Sequence, residues 1–177
     1  MTRPPLTFQG VQFDLGHLAP TQMLCPRIGT AGPDLVIDVR FSHHAYTVAA
    51  PSTPATAGAP HVSERGDVRL FDLVRWQQSR DYLPGMVASL PAARVEFTPE
   101  KRNYRYALRG RLADGQEYAL FLSLRRSSVA GQDLHMTLES AYAVPASSRG
   151  RPPGEIRFGV LAMKTMRGEV ISFPPRR

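Results

Sequence analysis

The fold is decided by the stretch from Tyr104 to Val144, which reads YRYALRGRLADGQEYALFLSLRRSSVAGQDLHMTLESAYAV. In it, Ala113-Asp114-Gly115 separates two apolar-rich runs, and a three-residue loop that ends in a left-handed glycine commonly closes a β-hairpin. This loop sets Leu108 opposite Leu120 and makes one face of the hairpin apolar. The alternative two-residue Asp-Gly loop scatters arginines and leucines over both faces, which a half-buried sheet does not tolerate. We therefore predict the three-residue loop.

The other face of the predicted sheet collects polar side chains. Side chains alternate between the two faces of a strand, so the arginines of the first hairpin strand share this outer face with alternate residues of the second. A third strand from Leu134 to Tyr142 adds His135, Thr137 and Glu139 if its leucines join the core. The residues predicted to bind nucleic acid are Arg105, Arg109, Arg111, Phe121, Arg125 and Arg151, the last in a basic Pro/Gly loop.

The charge of the chain is concentrated in its second half. The formal net charge is +7, and residues 94–177 hold 15 lysines and arginines against 8 acidic residues, whereas residues 1–93 hold 7 of each. A basic half next to a neutral half is typical of proteins with a polyanionic partner such as nucleic acid. An arginine-rich genomic composition combined with ordinary solubility explains the same excess, and the two interpretations stay open.

Composition limits the class of protein. A length of 177 residues with 42% hydrophobic residues predicts one domain with a real core. The single cysteine, Cys25, excludes an intramolecular disulfide framework. The N-terminus lacks the pattern of a signal peptide, and no apolar run has membrane length. We expect a bacterial cytoplasmic protein without a membrane partner.

The remaining elements predict an α+β domain. Residues 1–34 are expected to be irregular or to form an edge strand. We expect a strand from Leu35 to Thr47, a flexible Pro/Ala-rich loop over 49–63, and one domain over 35–177. Two helices are predicted before the hairpin, one from an N-cap at Asp67 to Arg80 and one from Leu83, and a third near the C-terminus, stopped by Gly168. The sheet is expected to be mostly antiparallel, with about five strands.

The outer face fits unpaired nucleic acid better than a duplex. Arginines two residues apart on one strand lie roughly 7 Å apart, close to the spacing of successive phosphates. Phe121 among them offers a surface on which a base can stack. Since no recognition helix is evident, we expect RNA or single-stranded nucleic acid as the partner, with a protein partner as the other option.

The same face carries groups for metal-free RNA cleavage, which needs a base, an acid and a cation for the phosphate. Glu139 is the candidate base, His135 the acid, and Arg109 or Arg105 the cation. His135 and Glu139 are about 13 Å apart along a strand, so His44 or Tyr142 has to complete the group. A solvated face with an ion pair between Glu139 and an arginine is the competing interpretation.

No metal or other cofactor is predicted. His43 and His44 are adjacent in a predicted strand, where their side chains diverge unless the strand bends, and no third ligand is spaced to join them. His44 is kept as a catalytic candidate, and an ordinary surface imidazole explains it equally.

The sequence Glu139-Ser140-Ala141-Tyr142-Ala143-Val144, placed after helices and an antiparallel sheet, resembles the end of the barnase/EndoU/RelE-like class of ribonuclease toxins. The resemblance covers residues 68–144 and implies metal-independent RNA cleavage with Glu139 and Tyr142 in the matching motif. A Ser-Ala step stands where that class more often has a threonine. The chain is also similar in general character to uncharacterised proteins of bacterial mobile elements.

Two functions therefore follow from the sequence. The first is a nucleic-acid-binding protein with metal-independent endoribonuclease activity of the toxin type. The second is a non-enzymatic accessory or inhibitor protein of a mobile element that docks on a nucleoprotein partner through the same basic face. The first requires His135 and Glu139, whereas the second requires only the arginines.

Overall fold

A computed structural model of the chain describes residues 3–49, 57–64, 66–98, 106–112, 114–145 and 154–171. Within them the strands are β1 (Leu6–Phe8), β2 (Val11–Phe13), β3 (Thr21–Cys25), β4 (Leu35–Phe41), β5 (Thr47–Val48), β6 (His61–Glu64), β7 (Asp67–Phe71), β8 (Arg94–Phe97), β9 (Tyr106–Arg111), β10 (Glu117–Arg126), β11 (Leu134–Val144) and β12 (Glu155–Arg157). The α-helices are α1 (Leu73–Ser89) and α2 (Phe158–Arg167). The α+β class is confirmed.

The largest sheet has seven strands in the order β12-β8-β9-β10-β11-β4-β3. Its pairs are antiparallel except β11 with β4, which run parallel. The prediction of about five strands was therefore too low, and the sheet is mixed. Local patterns reveal hairpins, but they do not show that β4 pairs with a strand nearly a hundred residues later, because such a pairing leaves no sequence signal of its own.

The predicted hairpin register is confirmed over the described residues. Leu108 lies opposite Leu120, and Arg111 lies opposite Glu117. Gly115 closes the loop with a φ of 83°, a left-handed conformation that glycine adopts without a steric penalty. The apolar face of this hairpin, with Leu120 and Leu122 fully buried, forms the middle of the core.

A β-bulge interrupts β11 at Glu139. Leu138 pairs with Leu122 and Ser140 pairs with Phe121, so Glu139 has no residue opposite it on β10. One extra residue reverses the alternation beyond it. Tyr142 consequently packs beside Phe121 in a small cluster on the outer face, whereas strict alternation places it on the core side with Leu138.

One helix replaces the two that were predicted before the hairpin. Asp67 begins β7, and Asp72 is the N-cap of α1, where its side chain accepts a hydrogen bond of 2.8 Å from the Arg75 N–H. Pro84 lies inside α1, so it does not start a second helix. The predicted C-terminal helix is confirmed as α2, which ends at Gly168 with a φ of 71°.

Both helices cover the apolar face of the large sheet. Leu83 of α1 and Phe158 and Leu161 of α2 belong to the same buried cluster as Leu120 and Leu138. No helix among the described residues has the length and apolar character needed to cross a bilayer.

Two small sheets flank this core. The segment predicted as irregular contains the β1-β2 hairpin and β3, an edge strand of the large sheet. Part of the predicted loop over 49–63 forms β6, which joins β5 and β7 in a three-stranded sheet, and residues 50–56 lie outside the described part. The small sheet brings Glu64 and Asp67 close to the turn that follows β4.

Candidate functional site

A cleft of about 680 Å³ lies where the outer face of β4 and β11 meets the three-stranded sheet. We call it the histidine cleft, and its polar lining consists of Arg3, Arg40, Ser42, His43, His44, Glu64, Asp67, His135, Thr137 and Glu139. Three of the four predicted catalytic residues, His44, His135 and Glu139, therefore share one cavity. The fourth, Tyr142, is not part of its lining.

His135 is held by a carboxylate that the sequence prediction missed. Its Nδ1 lies 2.8 Å from Asp38 Oδ2, because the parallel register pairs His135 with Asp38. An ionised carboxylate only accepts hydrogen bonds, so Nδ1 carries the proton. Nε2 then lies 3.3 Å from the hydroxyl of Thr137 at the cleft wall. Arg40 donates a 3.0 Å hydrogen bond to the same carboxylate.

The neighbouring strand β10 supplies two further groups. The Ser123 hydroxyl donates a 2.8 Å hydrogen bond to Glu139 Oε1, which holds that carboxylate against the sheet. Arg125 pairs with His135 in the β10-β11 register and is exposed. His135 is thus flanked by Asp38 on one strand and by Arg125 on the other.

His43 and His44 lie in a 3-10 turn and not in a strand. Ser42, at the N-cap of this turn, accepts a 3.3 Å hydrogen bond from the His44 N–H. The tight turn ends the alternation of β4, and the two rings pack edge to face with centroids 4.7 Å apart. The expectation that these side chains diverge was wrong for this reason.

Carboxylates surround the two rings. Asp67 Oδ2 lies 2.7 Å from His44 Nε2 and 3.4 Å from His43 Nε2, and Glu64 Oε2 lies 3.2 Å from His43 Nδ1. The potential ligand atoms of His43, His44 and Asp67 all lie within 4.8 Å of one another. Imidazole and carboxylate side chains such as these three are common ligands of transition metals.

The electrostatics of this cluster follow from burial and contact. Burial lowers the pKa of His43, and the adjacent His44 lowers it further. Burial alone would raise the pKa of Glu64, but the Arg3 guanidinium and the His43 N–H outweigh it and lower the pKa below its usual range. The hydrogen bond from His44 lowers the pKa of Asp67.

Comparison with known protein families gives one match. Residues 5–166 match the model of the YjaZ family. The chain belongs to the YjaZ family. No curated protein and no solved structure matches it.

The resemblance to ribonuclease toxins is thereby overturned, because the YjaZ-family model covers the whole of residues 68–144. The motif from Glu139 to Val144 also lies on a bulged strand of a seven-stranded mixed sheet. A short run of small residues followed by a tyrosine is compatible with many sheets, which is why it misled the sequence comparison.

A second cavity of this YjaZ-family chain contains two of the predicted arginines, Arg109 and Arg111. It measures about 310 Å³, and we call it the arginine groove; its charged lining consists of Arg94, Glu96, Arg109, Arg111, Glu117 and Glu155. Arg109 forms ion pairs with Glu96 at 3.0 Å and with Glu117 at 3.4 Å. Arg94 pairs with Glu155 at 3.1 Å. The groove is therefore balanced in charge and does not form an open basic surface.

The predicted stacking surface is closed. Phe121 is only 4% exposed and packs against Ala107 and Ala119, so its ring does not offer a free face to a base. The Tyr142 ring lies 5.3 Å from that of Phe121, and the Arg75 guanidinium lies 4.8 Å from the Tyr142 ring centroid. Arg105 and Arg151 fall outside the described residues.

Proposed function

We propose that the protein binds single-stranded nucleic acid, RNA in particular, in the histidine cleft and cleaves its phosphodiester bonds by acid–base chemistry. The observation that carries this proposal is the Asp38–His135 pair, with His135 Nδ1 and Asp38 Oδ2 2.8 Å apart. A histidine oriented by a carboxylate at the wall of a cleft is suited to move a proton.

The base that we propose is His135, whereas the sequence had suggested Glu139. Because Asp38 fixes the proton on Nδ1, Nε2 is the basic atom of the neutral ring. His135 is therefore the group that takes the proton from the 2′-hydroxyl. The same ring then returns this proton from Nε2 to the leaving 5′-oxygen. Glu139 lies about 13 Å further along β11 and accepts a hydrogen bond from Ser123 of β10, so it faces a neighbouring part of the substrate.

Two arginines beside His135 supply positive charge for the phosphate. Arg40 belongs to the strand on one side of His135 and has a side chain that is 56% exposed, and Arg125 belongs to the strand on the other side. Arg40 contacts one carboxylate, Asp38, through Nε. Arg109 is a poorer candidate for this role because two carboxylates, Glu96 and Glu117, engage its Nε and Nη1. A guanidinium that is engaged by carboxylates has to break those contacts before it binds a phosphate.

The size of the cleft supports an unpaired nucleotide as the ligand. Its volume of about 680 Å³ falls within the range of about 300–1,000 Å³ typical of small-molecule sites. Such a cavity accommodates a flipped or unpaired nucleotide, whereas a duplex presents its phosphates along an extended surface.

The test is a titration of the full-length chain with fluorescent single-stranded RNA at two salt concentrations, followed by a denaturing gel of reactions run in EDTA. His135→Gln should lower cleavage by about 10²–10⁴-fold, the usual contribution of a positioned acid–base group, and leave binding within a few-fold. The matched control is His61→Gln, since His61 is exposed on β6 and outside the cleft.

Binding is tested separately. Arg40→Gln and Arg125→Gln should each weaken binding and reduce the salt dependence by about 0.7 in the slope of log K against log salt. Arg94→Gln in the arginine groove serves as their control. Cleavage that is equal in wild type and His135→Gln would contradict the proposed chemistry. Salt-dependent binding without cleavage would instead support the non-enzymatic accessory role.

A further inference from the structure

We infer that His43, His44 and Asp67 bind a divalent transition-metal ion of the zinc type. This inference does not depend on the proposed function, because metal binding is measured without any substrate. The three side chains come from two elements that meet at the histidine cleft: the turn after β4 carries both imidazoles, and the first residue of β7 carries the carboxylate.

The donor set selects the class of ion. Two imidazole nitrogens and one carboxylate oxygen are ligands that suit zinc and its neighbours, whereas magnesium and calcium prefer oxygen ligands alone. In a tetrahedral site with metal–ligand bonds of about 2.0–2.1 Å, adjacent ligand atoms lie roughly 3.3 Å apart. The 3.4 Å between His43 Nε2 and Asp67 Oδ2 fits this spacing. The 2.7 Å between His44 Nε2 and Asp67 Oδ2 is a hydrogen bond that a metal would replace.

The buried ring of His43 provides an independent observation. Only 3% of its side chain is exposed, yet neither ring nitrogen has a hydrogen-bond partner. Buried polar atoms in folded proteins are nearly always satisfied, because leaving them unpaired is costly. A metal ion bound to Nε2 satisfies the nitrogen that faces Asp67.

A second carboxylate, that of Glu64, lies beside the other nitrogen of the His43 ring. Glu64 Oε2 lies 3.2 Å from His43 Nδ1, on the side away from Nε2. Arg3 pairs with the same oxygen at 3.2 Å, and the His43 backbone N–H donates to it at 3.1 Å. In metal sites a carboxylate at this position commonly accepts a hydrogen bond from the other ring nitrogen, a bond that His43 Nδ1 does not make in the present structure.

The site leaves a position open toward the cleft. The side chains of His44 and Asp67 are 34% and 49% exposed, so an ion has a path of entry. Three protein ligands and one free position characterise zinc sites that bind a water molecule or a substrate group. The fourth position would therefore face the cavity that also contains His135.

The experiment uses the full-length chain after treatment with EDTA and dialysis. Zinc is titrated by calorimetry, and cobalt is titrated as a spectroscopic probe whose visible absorption reports tetrahedral coordination. We expect one ion per chain. His44→Gln and Asp67→Asn, at partly exposed positions that leave the core intact, should each weaken zinc affinity by more than about 100-fold, and Glu64→Gln by about 10–100-fold.

The matched controls are His61→Gln and Asp81→Asn, which remove an exposed histidine and an exposed aspartate far from the cluster in sequence; both should bind zinc like the wild type. Circular dichroism checks that each variant is folded. The inference is overturned if the wild type binds no zinc, or if His44→Gln and Asp67→Asn bind it as tightly as the wild type does. Loss of binding in these two variants alone supports it.

Discussion

The histidine cleft and the arginine groove use the same outer face of one sheet in opposite ways. In the arginine groove, Arg109 lies between Glu96 and Glu117, so the charges neutralise each other within the fold. In the histidine cleft, both ring nitrogens of His43 lack hydrogen-bond partners, and His135 Nε2 lies at the wall. The first region holds strands together, whereas the second has groups available to a ligand.

This difference shows that the number of charged residues on a surface does not reveal their use. The groove contains Arg109 and Arg111, two of the arginines predicted to bind nucleic acid, together with carboxylates from β8, β10 and β12. The cleft is lined by two arginines instead of three, and both ring nitrogens of His43 lack hydrogen-bond partners. Partners missing from a site are better evidence of a ligand than an excess of charge is.

The largest expected effect is stabilisation of the fold by zinc, which should depend on the histidine cleft and not on the arginine groove. Zinc at 100 times its dissociation constant should raise the free energy of unfolding by about 2.7 kcal/mol, or the melting temperature by about 5–10 °C for a chain of this length. Scanning calorimetry should show this rise in Arg94→Gln and not in His44→Gln. An equal rise in both variants would place the zinc outside the histidine cleft.

The next effect tests the structural role of the groove. Arg109→Met removes one partner of two largely buried carboxylates, Glu96 and Glu117. Removing one partner of a fully buried ion pair costs about 3–5 kcal/mol. Because the Arg109 side chain is 21% exposed, solvent screening reduces our expectation to about 2 kcal/mol. Urea denaturation measures the change. Arg125→Met, beside the cleft on β10, is the control and should stay within about 0.5 kcal/mol. Similar losses in both variants would remove the distinction between the regions.

A smaller effect concerns the orientation of His135. Asp38→Asn places an amide, which can donate a hydrogen bond, next to Nδ1 and should move the ring proton to Nε2 in part of the molecules. Loss of a hydrogen bond to a charged group should cost about 1.5 kcal/mol. Nitrogen-15 NMR of the imidazoles reports the tautomer directly. If the wild type already carries its proton on Nε2, His135 is not the base that we propose.

The smallest effect uses a histidine outside both regions. The Ser79 hydroxyl donates to the Trp76 carbonyl, so it accepts the 2.8 Å hydrogen bond from His17 Nε2. Burial lowers the pKa of His17 below its ordinary value of 6.5, and the unfolded chain therefore binds this proton more tightly. The stability that the neutral ring contributes is present above about pH 6.5 and is lost as the pH falls below it.

His17→Gln should therefore reduce the loss of stability between about pH 7.5 and about pH 5.5, measured by urea denaturation at both values. His61→Gln, at an exposed position, is the matched control and should keep the wild-type pH dependence. An unchanged pH dependence in His17→Gln would mean that the ring titrates alike in the folded and unfolded states.

Local patterns predicted those parts of the fold whose partners are close in sequence. The loop at Gly115 and the alternation around it determine the β9-β10 register, and Gly168 ends α2 at the predicted position. The start of α1 near residue 70 was harder to predict. Val68 to Phe71 fit a helix or a strand equally in pattern, and pairing with β5 and β6 decided for the strand.

The candidate site was predicted only in part, because its geometry depends on contacts distant in sequence. His135, Glu139 and His44 were recognised as residue types suited to catalysis. Asp38 became the partner of His135 through a parallel pairing that the sequence does not encode locally. The His43–His44 turn had one local signal, Ser42, since serine before a turn is a frequent N-cap. That signal could have separated the turn from the strand.

The parallel pairing of β4 with β11 also determines the stage of protein synthesis at which the site can form. Asp38 and His135 are far apart in the chain, and at about 5–20 residues per second the ribosome synthesises the second roughly 5–20 seconds after the first. Closing so long a loop is a slow, late step in folding. A nascent chain therefore carries the turn of His43 and His44 before it carries His135, and the complete cleft forms only after β11 has been synthesised.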